Sequence, residues 1–153
     1  MERDALIRQM NQGLSLEYAL MIQYLQQSYL VQGLSRAVYH DFFIRESEGN
    51  RKHAQQLGER IVALGGTPTV EPATIRQTTD LAEMLQHDLE VEREALRLYT
   101  ELANAMADNV PLRLFFEEMA FKEQDDVWEL EKLLEQHKVA IPQKEIRMQR
   151  IAS

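Results

Sequence analysis

Apolar residues recur along most of this chain at the three- and four-residue steps of an α-helix. A first helix is predicted over residues 4–32, with Leu6, Met10, Leu14, Met21, Tyr24 and Val31 turned inward. Gly33 follows it as a stop signal. Ser35 is the expected N-cap of a second helix over 36–64, closed by Gly65 and Gly66. A third is predicted over 80–107, with Leu81, Leu85, Leu89, Leu96, Tyr99 and Met106 facing in. Asp108-Asn109-Val110-Pro111 combines capping residues with a proline suited to the first helical position, and a fourth helix runs from there to about 137. It carries Leu112, Phe116, Met119, Leu130 and Leu133. The expected division is a bundle over 1–138 and a tail over 139–153, in which Pro142 opens a short fifth helix ending at Ile151.

Connection lengths constrain how these helices meet. Helices one and two are joined by a few residues and must be antiparallel neighbours. Residues 65–79 hold Pro68, Pro72 and several Thr without helical period, so they read as an extended loop. A helix of about 28 residues spans roughly 42 Å at 1.5 Å per residue. About 15 extended residues cover roughly 50 Å. The second and third helices can therefore lie parallel, joined by a strap that runs the length of the bundle.

The apolar stripes are broken in mid-helix by polar residues. Glu17 interrupts the first helix between Leu14 and Met21, and Glu92 interrupts the third between Leu89 and Leu96. The second helix reads Tyr39, Phe42, Glu46, Asn50, His53, Leu57, Ile61; the fourth reads Phe116, Met119, Glu123, Asp126, Leu130. In a bundle of similar-length helices these residues meet in one layer. Buried carboxylates must be protonated, paired or bound to a cation. Glu17, Glu92, Glu123 and Asp126, with one imidazole and one amide, bring too few donors to satisfy one another. Cations are the natural solution. The chain also resembles itself: each Glu is followed seven residues later by a Tyr (Tyr24, Tyr99), and each next helix brings an i, i+3 pair, Asn50 with His53 and Glu123 with Asp126. Members of such a pair share a face. A pseudo-two-fold site for two cations is the simple reading.

Composition narrows the function classes. The 153 residues make one domain with no Cys, which excludes a disulfide scaffold, thiolate zinc and cysteine nucleophiles. A net charge of −8 argues against nucleic acid as a partner, since phosphate-backbone binding needs a basic surface. No stretch approaches the roughly 20 apolar residues of a membrane span, and the mixed-charge N-terminus is unlike a signal peptide. A cytoplasmic protein without membrane contact is expected.

With these residues in view, the chain resembles the bacterioferritins and related ferritin-like diiron-carboxylate proteins over essentially its whole length. The family pattern is one Glu from each of two helices and Glu-x-x-His from each of the other two. It is matched at Glu17 in LEYALMIQY, His53 in RKHAQQL, Glu92 in LEVEREAL and Glu123 in FKEQDD. Two positions depart: Asn50 stands for the bridging Glu of the second helix, and Asp126 for the His of the fourth. The resemblance implies an all-α ferritin-like four-helix bundle with one long crossover, a homo-oligomer with an acidic interior, and two iron ions oxidised by oxygen or peroxide. Glu17 and Glu92 would cap the ions and Glu123 would bridge them. Tyr24 would hydrogen-bond a ligand or supply an electron.

The departures imply a weakened or asymmetric centre. Asp126 is shorter than His, and Asn50 bridges poorly. Glu46, one turn before Asn50, reads as a rim residue that could swing in as a substitute. The oxygen-rich set tolerates manganese or magnesium, while His53 favours a transition metal. Family members that bind haem use a Met where Arg51 stands, so no haem is expected by that route. His40, His87 and His137 read as surface residues. Two other functions compete with iron oxidation: a small-molecule diiron oxidoreductase, weakened in its rubrerythrin form by the lack of Cys, and a catalytically silent structural or interaction subunit.

Overall fold

A computed structural model of the chain describes residues 1–136. It contains four helices: α1 (Arg3–Leu30), α2 (Arg36–Ala63), α3 (Leu81–Ala105) and α4 (Val110–Leu133). Each falls within a few residues of the span read from periodicity. The expected fifth helix, its tail and His137 lie outside the described residues.

The ends of the helices follow different chemistry. Asp80 caps α3 by accepting a hydrogen bond from the Glu83 N–H, and Asn109 caps α4 by accepting one from Leu112. Ser35 does occupy the position before α2, but its backbone is already helical and its side chain makes no capping bond. A capping hydroxyl needs extended backbone to reach the free N–H groups, so that expectation fails. Gly65, just past α2, takes a φ of +82°, which only glycine adopts without strain.

Helix α1 packs along α2, α3 along α4, and α1 against α3. The strap between α2 and α3 has no regular structure and is fixed by α1. Asn11 donates to the Thr67 carbonyl and accepts from the Thr69 N–H; Ser15 exchanges bonds with Glu71 and Ala73. Further along, Gln23 accepts from the Arg76 N–H and Gln26 donates to Gln77. Strap and helix meet in the same residue order, so the strap runs parallel to α1. It returns the chain to the start of α2, leaving α2 and α3 parallel as the loop length required.

Between the helices lies a core that includes Met10, Leu14, Leu20, Phe43, Leu57, Ile61, Met84, Leu89, Leu102 and Phe116, all essentially inaccessible. The inward series expected from the sequence are largely buried, with Met21, Tyr39, Leu81, Leu96, Leu112 and Leu133 only half-buried. The polar layer falls inside this core.

Candidate metal centre

Glu17 at the middle of α1 and Glu92 at the middle of α3 are fully buried, as is Glu123 of α4. His53 and Asn50 of α2 are also buried, with 8% and 3% of their surface exposed. Glu46 and Asp126 are half-buried. The helix faces gather these side chains into two groups. In one, Glu17, His53 and Glu123 each offer a ligating atom, all within 4.8 Å of one another; in the other, Glu46, Glu92 and Asp126 do the same.

The inner distances are informative. His53 Nδ1 stands 3.4 Å from Glu17 Oε2 and 3.2 Å from Glu123 Oε1, yet hydrogen-bonds to neither. Ligands held about 2.1 Å from one ion stand about 3.0 Å apart at right angles and about 3.4 Å apart at tetrahedral angles. The two separations from His53 have that spacing. Among the described residues, eight buried side-chain nitrogens and oxygens lack a hydrogen-bond partner, and five belong to this layer: Glu17 Oε2, His53 Nδ1, Glu92 Oε2 and both oxygens of Glu123. Leaving such groups unsatisfied is costly. Cations would satisfy them together, so the donor set fits two divalent ions.

Two tyrosines fix the other carboxylate oxygens. Tyr99 donates to Glu17 Oε1 at 2.6 Å, and Tyr24 donates to Glu92 Oε1 at 2.8 Å. Each bond crosses between α1 and α3, so Tyr24 serves the Glu of the opposite helix and not Glu17 on its own. Gly13 makes room for one of them. A Cβ there would lie 3.1 Å from the Tyr99 ring and 3.2 Å from its hydroxyl oxygen.

Electrostatics show the same crowding of negative charge. Burial, then the Glu123 charge, raises the Glu92 pKa well above the ordinary carboxylate range. Burial, then the Glu17 charge, does the same to Glu123. Asp126 is pushed up to about 9 by burial and then by Glu92, and burial also raises Glu46. For His53, burial works against the charged imidazole, but neighbouring Glu17 and then Glu92 outweigh it and the pKa ends above its ordinary value. Both tyrosines are raised, by burial first and then by the carboxylate each one bonds. Without ions, protons must hold part of this layer together.

A family profile described as "Ferritin-like domain" matches residues 7–139. The chain belongs to this family. Bacterial ferritin of Neisseria meningitidis serogroup B is 31% identical over 133 residues, covering 85% of this chain and 86% of the relative. A nutrient stress-induced DNA-binding protein of Synechococcus is 34% identical over 104 residues; the match spans 61% of this chain and only 58% of that relative's length. Among solved structures, a ferritin-like, diiron-carboxylate protein of Bacillus anthracis superposes with a TM-score of 0.84 at 33% identity, covering 88% of this chain and 99% of the other.

Family and donor set make this an iron-binding ferritin-like protein. Of the residues singled out in the sequence, Glu17, His53 and Glu123 fall in one group, and Glu92 and Asp126 in the other. Asn50 lies beside them, its amide nitrogen donating to the Glu46 carbonyl at 2.8 Å. Glu46, read as a rim residue, stands with Glu92 and Asp126, its side chain only 18% exposed. Arg51, at the position compared with the haem Met, bonds Glu48 and Gln55 on the surface.

A neighbouring polar cluster went unread in the sequence. Asp88, one turn before Glu92, is fully buried and accepts hydrogen bonds at 2.8 Å from both Gln23 and Gln27. Burial raises its pKa to about 7 although those two bonds work the other way. The available signals were the i, i+4 spacings of Gln23 with Gln27 and of Asp88 with Glu92, each of which shares a helix face.

Proposed function

We propose that this ferritin-like protein is a ferroxidase: it binds two ferrous ions in the mid-bundle layer and passes their electrons to dioxygen or peroxide. Two ferrous ions give up two electrons, which with two protons convert one dioxygen to hydrogen peroxide, or one hydrogen peroxide to two waters. The observation that carries this reading is the convergence of five unpartnered buried atoms from Glu17, His53, Glu92 and Glu123. Ferric product would then leave for storage or detoxification.

In this reading Tyr24 and Tyr99 each pin one oxygen of a capping carboxylate and leave the second oxygen for an ion. Glu123, with both oxygens free, is suited to bridge. Tyr24, hydrogen-bonded to Glu92, would be the electron donor in this reading. The mouth of the centre between α2 and α4 is a cavity of about 270 Å³ lined by Glu46, Asn50, Asp126, Arg45 and Lys122. Organic ligands usually occupy larger and mainly apolar pockets. This favours ions and small oxidants over a small-molecule oxidoreductase.

The rest of the reading is a cytoplasmic homo-oligomer without haem, using iron first and manganese as an alternative. Exposed Ile22, Leu25, Tyr29 and Ile44 on α1 and α2 support association with further copies. The described helices include none long and apolar enough to cross a membrane. The −8 charge speaks against carrying over the DNA binding named for the Synechococcus relative. The test is aerobic oxidation of ferrous iron by the pure protein, with Glu17→Ala as control. Faster oxidation by the natural chain supports the ferroxidase, whereas equal rates reject it.

A further inference from the structure

The second cation position raises its own question, because Asn50 stands where a carboxylate would be needed. Asn50 is already engaged: its amide nitrogen holds the Glu46 carbonyl at 2.8 Å. One turn earlier, the Glu46 carboxylate stands with those of Glu92 and Asp126. Glu92 Oε2, in the same group, is completely buried and has no hydrogen-bond partner. That atom separates the group from an ordinary acidic patch, since an exposed cluster would leave its oxygens to water.

The two groups also differ in chemistry and access. Glu17, His53 and Glu123 are all buried and include a nitrogen donor. Glu46 and Asp126 line the cavity between α2 and α4 together with Gly49, and the group has oxygen donors alone. Three carboxylates overcompensate a divalent ion by one negative charge. Arg45 and Lys122 at the mouth can offset it; Arg45 Nε lies 4.0 Å from Glu46 Oε1, a loose contact that leaves the carboxylate free to turn inward. Oxygen-only sets suit hard divalent cations, whereas imidazole favours transition metals.

We infer that Glu46 replaces Asn50 as the α2 ligand of the second position, which makes the two positions unequal. The inner one keeps a transition metal. The outer one, built by Glu46, Glu92 and Asp126, exchanges its ion through the mouth and accepts magnesium or manganese as well as ferrous iron. This rests on the two-cation reading proposed above.

The experiment counts manganous ions bound to the metal-stripped, full-length protein by equilibrium dialysis and electron paramagnetic resonance. Thermal melts establish that each variant is folded. The natural chain should bind two ions per chain, Glu46→Ala one, and Asn50→Ala two. Loss of Glu46 should weaken the second ion on the order of 10–100-fold or more, the range seen even for residues behind the ligands. Excess magnesium should displace one of the two ions from the natural chain and leave the ion bound to Glu46→Ala in place. Two ions in Glu46→Ala, one in Asn50→Ala, or no displacement by magnesium would overturn the assignment while leaving the two-cation centre standing. Fewer than two ions in the natural chain, or two in Glu123→Ala, would remove the centre itself and this inference with it.

Discussion

Tyr99 reaches from α3 to hold Glu17 at 2.6 Å, and Tyr24 reaches from α1 to hold Glu92 at 2.8 Å. The same bond is thus made twice, across the same helix pair. Helices α2 and α4 offer no such match: one brings Glu46, Asn50 and His53, the other Glu123 and Asp126. The inner group is buried and contains an imidazole, while the outer group is all-carboxylate and two of its three members, Glu46 and Asp126, are only half-buried. Two-fold symmetry therefore survives in what holds the capping carboxylates and is lost in what completes the coordination. Positioning the caps needs only a Tyr seven residues after each Glu, whereas the remaining ligands can drift as long as negative charge and reach are kept.

Removing a ligand from each group gives the largest expected contrast. Glu123→Ala takes away two buried, unpartnered oxygens and should slow ferrous oxidation on the order of 100-fold, against about tenfold for Asp126→Ala, which sits where water can substitute. Stopped-flow oxidation of both variants checks this, and equal losses would erase the distinction between the groups.

The next effect concerns protons. Asp88 has a raised folded-state pKa of about 7, so the stability it contributes is fully present below the ordinary carboxylate pKa and is lost as pH climbs through about 7. Asp126 extends the same trend towards about 9. The metal-free protein should lose stability between about pH 4 and pH 9, and a divalent ion should restore it at the alkaline end by neutralising the carboxylates. Asp88→Asn should flatten the lower part of the profile, by on the order of 4 kcal/mol. Denaturant titrations across pH, with and without ion, measure this. A profile unchanged by Asp88→Asn would contradict it.

Smaller still are the paired tyrosines. Tyr24→Phe and Tyr99→Phe each leave a buried carboxylate oxygen without its donor and should cost about 1–3 kcal/mol. Because the two bonds are counterparts, melting of the two variants should agree closely; a large difference would break the symmetry claimed for this layer. The smallest contrast is at the helix ends. Asp80→Ala and Asn109→Ala should each cost about 1 kcal/mol, while Ser35→Ala should change stability by no more than about 0.5 kcal/mol, since Ser35 makes no capping bond.

Much of this architecture was legible in the amino-acid order. Long apolar stripes placed four helices, and the extended loop over 65–79 demanded a strap between parallel partners. Glu17 and Glu92 stood out because a carboxylate in mid-stripe has no ordinary reason to be there. The rest depended on how helices face one another. A Tyr two turns after a Glu suggests a partner on its own helix, and only the α1–α3 packing shows that each serves the other. Gln23, Gln27 and Asp88 are residue types common on surfaces, so their burial beside the centre becomes visible only in the packed bundle. Glu46 was ambiguous for the same reason: a residue at the edge of a stripe faces either solvent or site, and the angle between α2 and α4 decides which.

Crystals grown metal-free and soaked in ferrous iron without oxygen offer the most direct measurement, by anomalous diffraction at the iron absorption edge. Two peaks per chain are expected, one among Glu17, His53 and Glu123 and the other among Glu46, Glu92 and Asp126. A polar layer without peaks, its carboxylates closed on one another through protons, would contradict the claim that cations gather these side chains.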